Sequence, residues 1–198
     1  MRARKPNDVS AYERDLAMIT IGGPQPLQGP IEISRYNPDW PAWYAAEEAR
    51  IRSILGDRAL RIEHVGSTAV TGLPAKPLID IVMEVRDTAA EPEYVPDLEA
   101  AGYILRLREP EWYEHRLLKG PDRDINVHVF PAGCVEVERM LLFRDWLRAN
   151  ADDRELYARV KRELAACDWR YMQQYADSKA AVVGEIMARA TSAGSPPA

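Results

Sequence analysis

Gly66-Ser67-Thr68 and Asp80 are the residues of this chain whose types and spacing suit phosphate chemistry, with twelve residues between Ser67 and Asp80. A glycine lets the backbone approach a ligand closely, and the amides and hydroxyls after it can cradle a phosphate at the start of a helix. Leu60 and Ile62 alternate ahead of the turn, and an apolar run from Leu78 to Val85 surrounds the aspartate. This pattern predicts strand, tight turn, short helix from Thr68 towards Lys76, and second strand. Asp80 would then project beside the turn, where a metal bound to that phosphate could sit.

His128 lies in Ile125-Asn126-Val127-His128-Val129-Phe130, whose alternation puts Asn126 and His128 on one face. Imidazole ligates transition metals well and magnesium poorly, so His128 is expected as a partner of Asp80, as metal ligand or as base. His64 precedes the turn and is a candidate either for orienting the loop or for catalysis. His115, set among charges, is read as a surface residue. Glu84 shares a face with Asp80, but four residues of strand separate their Cα atoms by roughly 13 Å, so it is expected to be solvent-facing or peripheral. Lys76, Arg123 and Lys179 are candidate phosphate contacts; lysine binds such oxygens as a point charge.

The Gly-Ser turn, its spacing to Asp80 and the apolar residue after it resemble the signature of the nucleotidyltransferase (polymerase β-like) superfamily. Ile62 to Val70, with Ala75 to Ile81, is more closely similar to the GrpB (UPF0157-like) family, a variant of that fold, and the likeness runs from about Ile31 to Ala190. Phe143 to Arg148 and Tyr175 to Lys179 belong to it, and the local sequences of Lys76 and Lys179 match the family. The resemblance implies an α/β (α+β) fold: a mixed, mostly antiparallel sheet flanked by helices, with a helical C-terminal segment walling the cleft. It also implies a nucleotidyl group moved from a nucleoside triphosphate to a small acceptor (alcohol, amine or carboxylate), with Mg²⁺ or Mn²⁺, or a transition metal. Gly66, Ser67 and Thr68 would hold phosphates, and Asp80 and His128 the metal.

This chain departs from the pattern twice. Superfamily enzymes place carboxylates at both the first and third positions of the strand motif; here Asp80 fills the first and Val82 the second of these. GrpB relatives carry a His-His-Leu-His strand, of which His128 alone remains, with Asn126 on its face. A non-catalytic nucleotide-binding or regulatory module therefore stands as the alternative, and GrpB-like domains occur fused to dephospho-CoA kinase in some bacteria. A metal-dependent phosphohydrolase is a third reading.

A net charge of −5 argues against a dedicated nucleic-acid binder, and 46% hydrophobic with 29% charged residues is ordinary for one globular domain. Cys134 and Cys167 form no metal or CxxC pattern and are expected as free thiols. No apolar run approaches the ~20 residues of a membrane span, and no apolar segment of signal-peptide type follows Met1. Cytoplasmic location and no membrane partner are expected, and a homo-oligomer is left open. Residues 1–29 read as a partly flexible extension, 30–190 as the domain and 191–198 as a disordered tail.

Around the site, Ile31-Glu32-Ile33 reads as a strand. Asp39 and Pro41 open a helix reaching Leu55, with Trp40, Trp43 and Tyr44 as core anchors. A helix is expected within Thr88 to Gly102, and strands at Tyr103 to Arg108 and Trp112 to Leu118. Three helices follow from Glu136, the second at Glu155 to Ala166 and the last from about Trp169 to Ala190.

Overall fold

The computed structural model describes residues 9–194. Five strands form one sheet: β1 (Arg61–Val65), β2 (Ile79–Val85), β3 (Ile104–Glu109), β4 (His115–Lys119) and β5 (Ile125–Pro131). Their order is β1-β2-β5-β4-β3, with β2 and β5 parallel and every other pair antiparallel. This is the mixed, mostly antiparallel sheet expected from the sequence. The helices are α1 (Val9–Ile19), α2 (Trp40–Leu55), α3 (Val95–Ala100), α4 (Val135–Ala149), α5 (Ala151–Ala165), α6 (Met172–Ser178) and α7 (Ala180–Gly194).

Strand alternation sorts the side chains onto two faces. Ile79, Ile81, Met83 and Val85 of β2 join Val127 and Val129 of β5 in the main core, beneath Trp40, Ile51 and Leu55 of α2 and Leu98 of α3. Each fully buried aliphatic side chain here contributes roughly 1.5–3 kcal/mol of transfer free energy. Asp80, Val82 and Glu84 face the other way. There Val82 meets Val65, Phe130 and, from α4, Val137 and Leu141. A third cluster locks Val70 and Leu73, just after the Gly-Ser turn, against Leu147, Tyr157, Val182 and Ile186 of the C-terminal helices.

Several local expectations change. Ile31 to Ile33 makes no strand; the segment touches the domain through one isolated bridge, Ser34 to Ala75. Asp39 does not cap α2 with its side chain; its own N–H donates to Asn37 Oδ1 at 2.9 Å, while Pro41 stands in the first turn as expected. Trp112 to Glu114 is the β3–β4 hairpin turn instead of strand, and Tyr113 and Glu114 both have positive φ. The last predicted helix is two, divided at Lys179.

Within the described residues the N-terminal extension opens with α1 and packs onto the domain. Ile21 N–H donates to Arg106 O on β3 at 2.9 Å, and Tyr12 Oη donates to Asp177 Oδ2 at 3.0 Å on α6. The predicted flexible tail is helical as far as Gly194, and residues 195–198, like 1–8, lie outside the described residues.

Candidate functional site

The turn between β1 and β2 carries a glycine because of where Asp80 sits. Gly66 has φ 70°, and a Cβ placed there would lie 2.6 Å from Asp80 Oδ2. The carboxylate is therefore packed directly against the Gly-Ser backbone. After it comes only a three-residue 3-10 turn, Ser67–Ala69, not the helix expected towards Lys76. With so little helix behind it, an anion at this turn would have to be held by side chains.

Those side chains are lysines. Lys161 of α5 is 2% exposed, and its Nζ donates to Ser67 Oγ at 3.0 Å and to Pro74 O at 2.6 Å. Burial, then the charges of Lys179 and Arg162, press its pKa down to about 7. Lys179 lies with Nζ 4.6 Å from the Tyr175 ring centroid and within electrostatic reach of Asp80. Lys119, at the end of β4, is likewise depressed, first by burial and then by Lys76 and Arg106, against the opposing pull of Asp124 and Asp80. One carboxylate thus sits within the field of Lys119 and Lys179, with Lys161 and Lys76 beside these two.

Asp80 is held ionised. Burial opposes its charge, but the His128 ring beside it, hydrogen bonding from Asn126 and the charge of Lys179 outweigh it and lower its pKa. Asn126 Nδ2 donates to Asp80 Oδ1 at 2.9 Å, and His128 Nε2 lies 3.5 Å from the same oxygen. The parallel register makes this inevitable, since it aligns Asp80 with Asn126 and Val82 with His128. The amide's Oδ1 is buried and has no hydrogen-bond partner among the described residues.

His115 corrects the sequence reading. It is 2% exposed, its Nε2 lies 3.0 Å from His128 Nδ1, and its Nδ1 lies 2.7 Å from Glu109 Oε2. Burial, opposed by Glu109, lowers its pKa to about 4. A file of side chains, Asp80–His128–His115–Glu109, therefore crosses the sheet from β2 to β3, with hydrogen bonds joining its last three members. The β4–β5 register was the available signal: His128 faces Leu117, which puts His115 two residues away on the same face. Lys161 gave no such signal, because 94 residues separate it from Ser67.

Other candidates do different work. Thr68 is 1% exposed, and its hydroxyl donates to Leu78 O at 3.0 Å, so it is closed to a phosphate. With that proton committed, His64 Nε2 must donate to Thr68 Oγ1, 3.0 Å away. His64 stacks on Tyr44 on the α2 side of the sheet, and burial lowers its pKa to about 4. It locks the turn from behind, within electrostatic reach of Asp80. Arg123 lies over the Trp43 ring of α2, 4.4 Å from its centroid. Glu84 is not solvent-facing: it is buried, and accepts the Gly133 N–H at 2.8 Å. Val82 is 0% exposed under α4, so the position of the second carboxylate is occupied by core.

Among the described residues no group of three or more His, Cys, Asp or Glu side chains could hold a metal ion. Asp80 and His128 offer two ligating residues. That set does not fit an ion caged by protein alone; it fits one that arrives with phosphate oxygens, as magnesium usually does. Cys134 and Cys167 are free, and among the described residues no helix is long and apolar enough to cross a membrane.

Comparison with known proteins places these features in a wider set. Residues 30–189 match the family described as GrpB protein. The chain is 55% identical over 184 residues to a UPF0157 protein of Halalkalibacterium halodurans, covering 93% of this chain and 94% of that one. The crystal structure of the conserved protein GrpB from Enterococcus faecalis superposes with a TM-score of 0.70 at 28% identity, over 80% of this chain and 96% of that one. A protein of Mycolicibacterium paratuberculosis named dephospho-CoA kinase is 35% identical over 70% of this chain, a match that takes in 40% of its own length.

Proposed function

The chain belongs to the GrpB family, and we propose that its turn-and-aspartate site binds a nucleoside triphosphate with a divalent ion and transfers the nucleotidyl group to a small acceptor. The observation that carries this reading is the lysine set around one ionised carboxylate: Lys76, Lys119, Lys161 and Lys179 beside Asp80 and Ser67. Such a field is repelled by a bare cation and suits a polyanion that brings its own.

Each group has a task in that reaction. Ser67 already accepts from Lys161, so its own O–H is left to donate to a phosphate oxygen. Lys161 and Lys179 offset charge on the triphosphate, and Gly66 lets the backbone of the turn come close. Asp80 would hold Mg²⁺ or Mn²⁺ together with phosphate oxygens, and the ion would supply charge neutralisation at the α-phosphate. The acceptor's oxygen or nitrogen attacks the α-phosphorus in line, the bond to pyrophosphate breaks, and the proton of the attacking group passes to His128 Nε2.

The second reading, a binding or regulatory module without turnover, is favoured by Val82: its place under α4 leaves the site a single strand carboxylate. The relative named dephospho-CoA kinase, in which the matching stretch is a part, agrees with it.

Calorimetric and thermal-shift titration with each of the four nucleoside triphosphates, with Mg²⁺, Mn²⁺ or chelator, separates the readings. A triphosphate at 100 times its Kd adds about 2.7 kcal/mol to the folded state. We expect metal-dependent binding that Asp80→Ala abolishes, with pyrophosphate released once an acceptor is supplied. Binding without pyrophosphate release across an acceptor screen selects the module. No binding under any condition removes both.

A further inference from the structure

The file of side chains behind His128 has a direction that hydrogen-bonding rules fix. Glu109 is an acceptor through its carboxylate, so the proton of the 2.7 Å contact belongs to His115 Nδ1. A neutral imidazole carries one proton, which leaves His115 Nε2 as an acceptor. The 3.0 Å contact then requires His128 to donate from Nδ1. His128 Nε2 is the atom left over, and it faces Asp80 Oδ1 at 3.5 Å.

The surroundings keep the file intact. Phe130 stacks on His115 with centroids 4.8 Å apart, and Trp112 meets both rings edge-on, at 5.0 and 5.6 Å. Trp112 is brought there by the β3–β4 turn, whose Tyr113 and Glu114 hold φ 54° and 52°. Two consecutive non-glycine residues in the left-handed region are costly, and such strain persists only where the surroundings impose it. Trp112 from the hairpin and Phe130 from β5 thus wall in His115 and exclude water that could otherwise supply it a competing donor.

We propose that Glu109 and His115 are positioning residues that hold His128 in the Nδ1–H tautomer, so that its Nε2 lone pair is presented to the attacking group beside Asp80. Neither touches the reacting atoms; both act through the ring of His128. This rests on the transfer reading above for what the lone pair does, but not for which nitrogen carries it. The inference also assigns the acceptor's chemistry at that point: the group facing Nε2 is an O–H or N–H donor. A carboxylate there would meet two acceptors, Nε2 and Asp80 Oδ1.

The chain has only three histidines, which makes the imidazoles tractable by long-range ¹⁵N–¹H spectroscopy of the full-length protein at pH 8.5. We expect His128 to show a protonated Nδ1 and a bare Nε2. Glu109→Leu should turn that single tautomer into a mixture while the signals of His64, on the opposite face, stay in place. His115→Phe keeps the ring volume and removes the acceptor, and should mix the His128 tautomers in the same way, so the prediction survives if either variant fails to fold. A His128 protonated at Nε2 in the wild-type protein overturns the proposal, as does a tautomer indifferent to both substitutions. The spectra do not depend on turnover, so failure of the transfer reading shows separately, as absence of nucleotide binding with the His128 tautomer as expected.

Discussion

Asp80 is useful because its neighbours make opposite demands on it. Burial favours the neutral acid, while His128, Asn126 and Lys179 favour the anion and prevail. Val82, two residues on, pairs across the strands with His128 but is otherwise packed among Val65, Phe130, Val137 and Leu141. Val82→Asp, which would restore the acidic pair of the superfamily, should therefore cost stability and add no activity. With only the His128 ring beside it in otherwise apolar surroundings, the new buried charge should cost about 3–5 kcal/mol, read as a lower urea midpoint. A variant of wild-type stability with gained turnover would show that α4 yields at this position. The turn and Asp80 were legible in the sequence because their signal is local, a glycine, a hydroxyl and a spacing. His115 and Lys161 were not, since their meaning comes from partners on other elements. A histidine flanked by Glu114 and Arg116 looks like surface until the hairpin register turns it inward onto His128.

Helix α4 does more than cover the sheet; it grips the Gly-Ser turn on both sides. Arg144 Nη1 donates to His64 O at 3.0 Å and to Glu63 Oε2 at 2.8 Å, and Arg148 Nε donates to Ala69 O at 3.0 Å. With Lys161 on Ser67 and Pro74, two helices clamp the segment that carries the proposed phosphate site. Arg144→Ala should lower stability by about 2 kcal/mol in urea unfolding, the scale of hydrogen bonds involving a charged group, and should weaken triphosphate binding without touching the ligand. Arg144→Lys should recover little of it, because an ammonium cannot serve the carbonyl, Glu63 and Asp145 at once. Full retention of stability in both would leave the clamp to α5 alone. The Phe143 to Arg148 motif was visible in the sequence without its purpose, which lies in backbone carbonyls some eighty residues earlier. The break at Lys179 was invisible for a related reason: no glycine or proline marks it.

At the scale of the whole chain, one sheet separates two differently built faces, and a histidine is buried on each. On the α2 side His64 stacks on Tyr44 and locks Thr68; on the site side His115 lies between Glu109 and His128. The segment that opens the described structure ties the sheet edge to the C-terminal helices, since residues 12–27 reach from the edge strand β3 to α6 and its neighbour Arg170. That edge pairing was not readable from Gly22 to Pro26, which signal only irregular chain. Burial of the two imidazoles as neutral rings links folding to pH. Both have pKa values lowered from 6.5 to about 4, so the unfolded chain takes up their protons first as pH falls. Their contribution is complete above pH 6.5 and is lost progressively between 6.5 and about 4, at roughly 3 kcal/mol for each ring. A second loss follows at lower pH, where Asp80, Glu91, Asp145 and Asp153, all held below their ordinary values, are protonated. Urea midpoints measured from pH 7.5 to 4 should fall steeply across the upper window. His115→Phe, which removes one titrating ring, should start less stable than wild type where Glu109 loses its partner, but with a shallower slope. Equal slopes in the two proteins would mean that His115 titrates in the folded state as it does in the unfolded chain, and that the aromatic wall of Trp112 and Phe130 does not keep water from it.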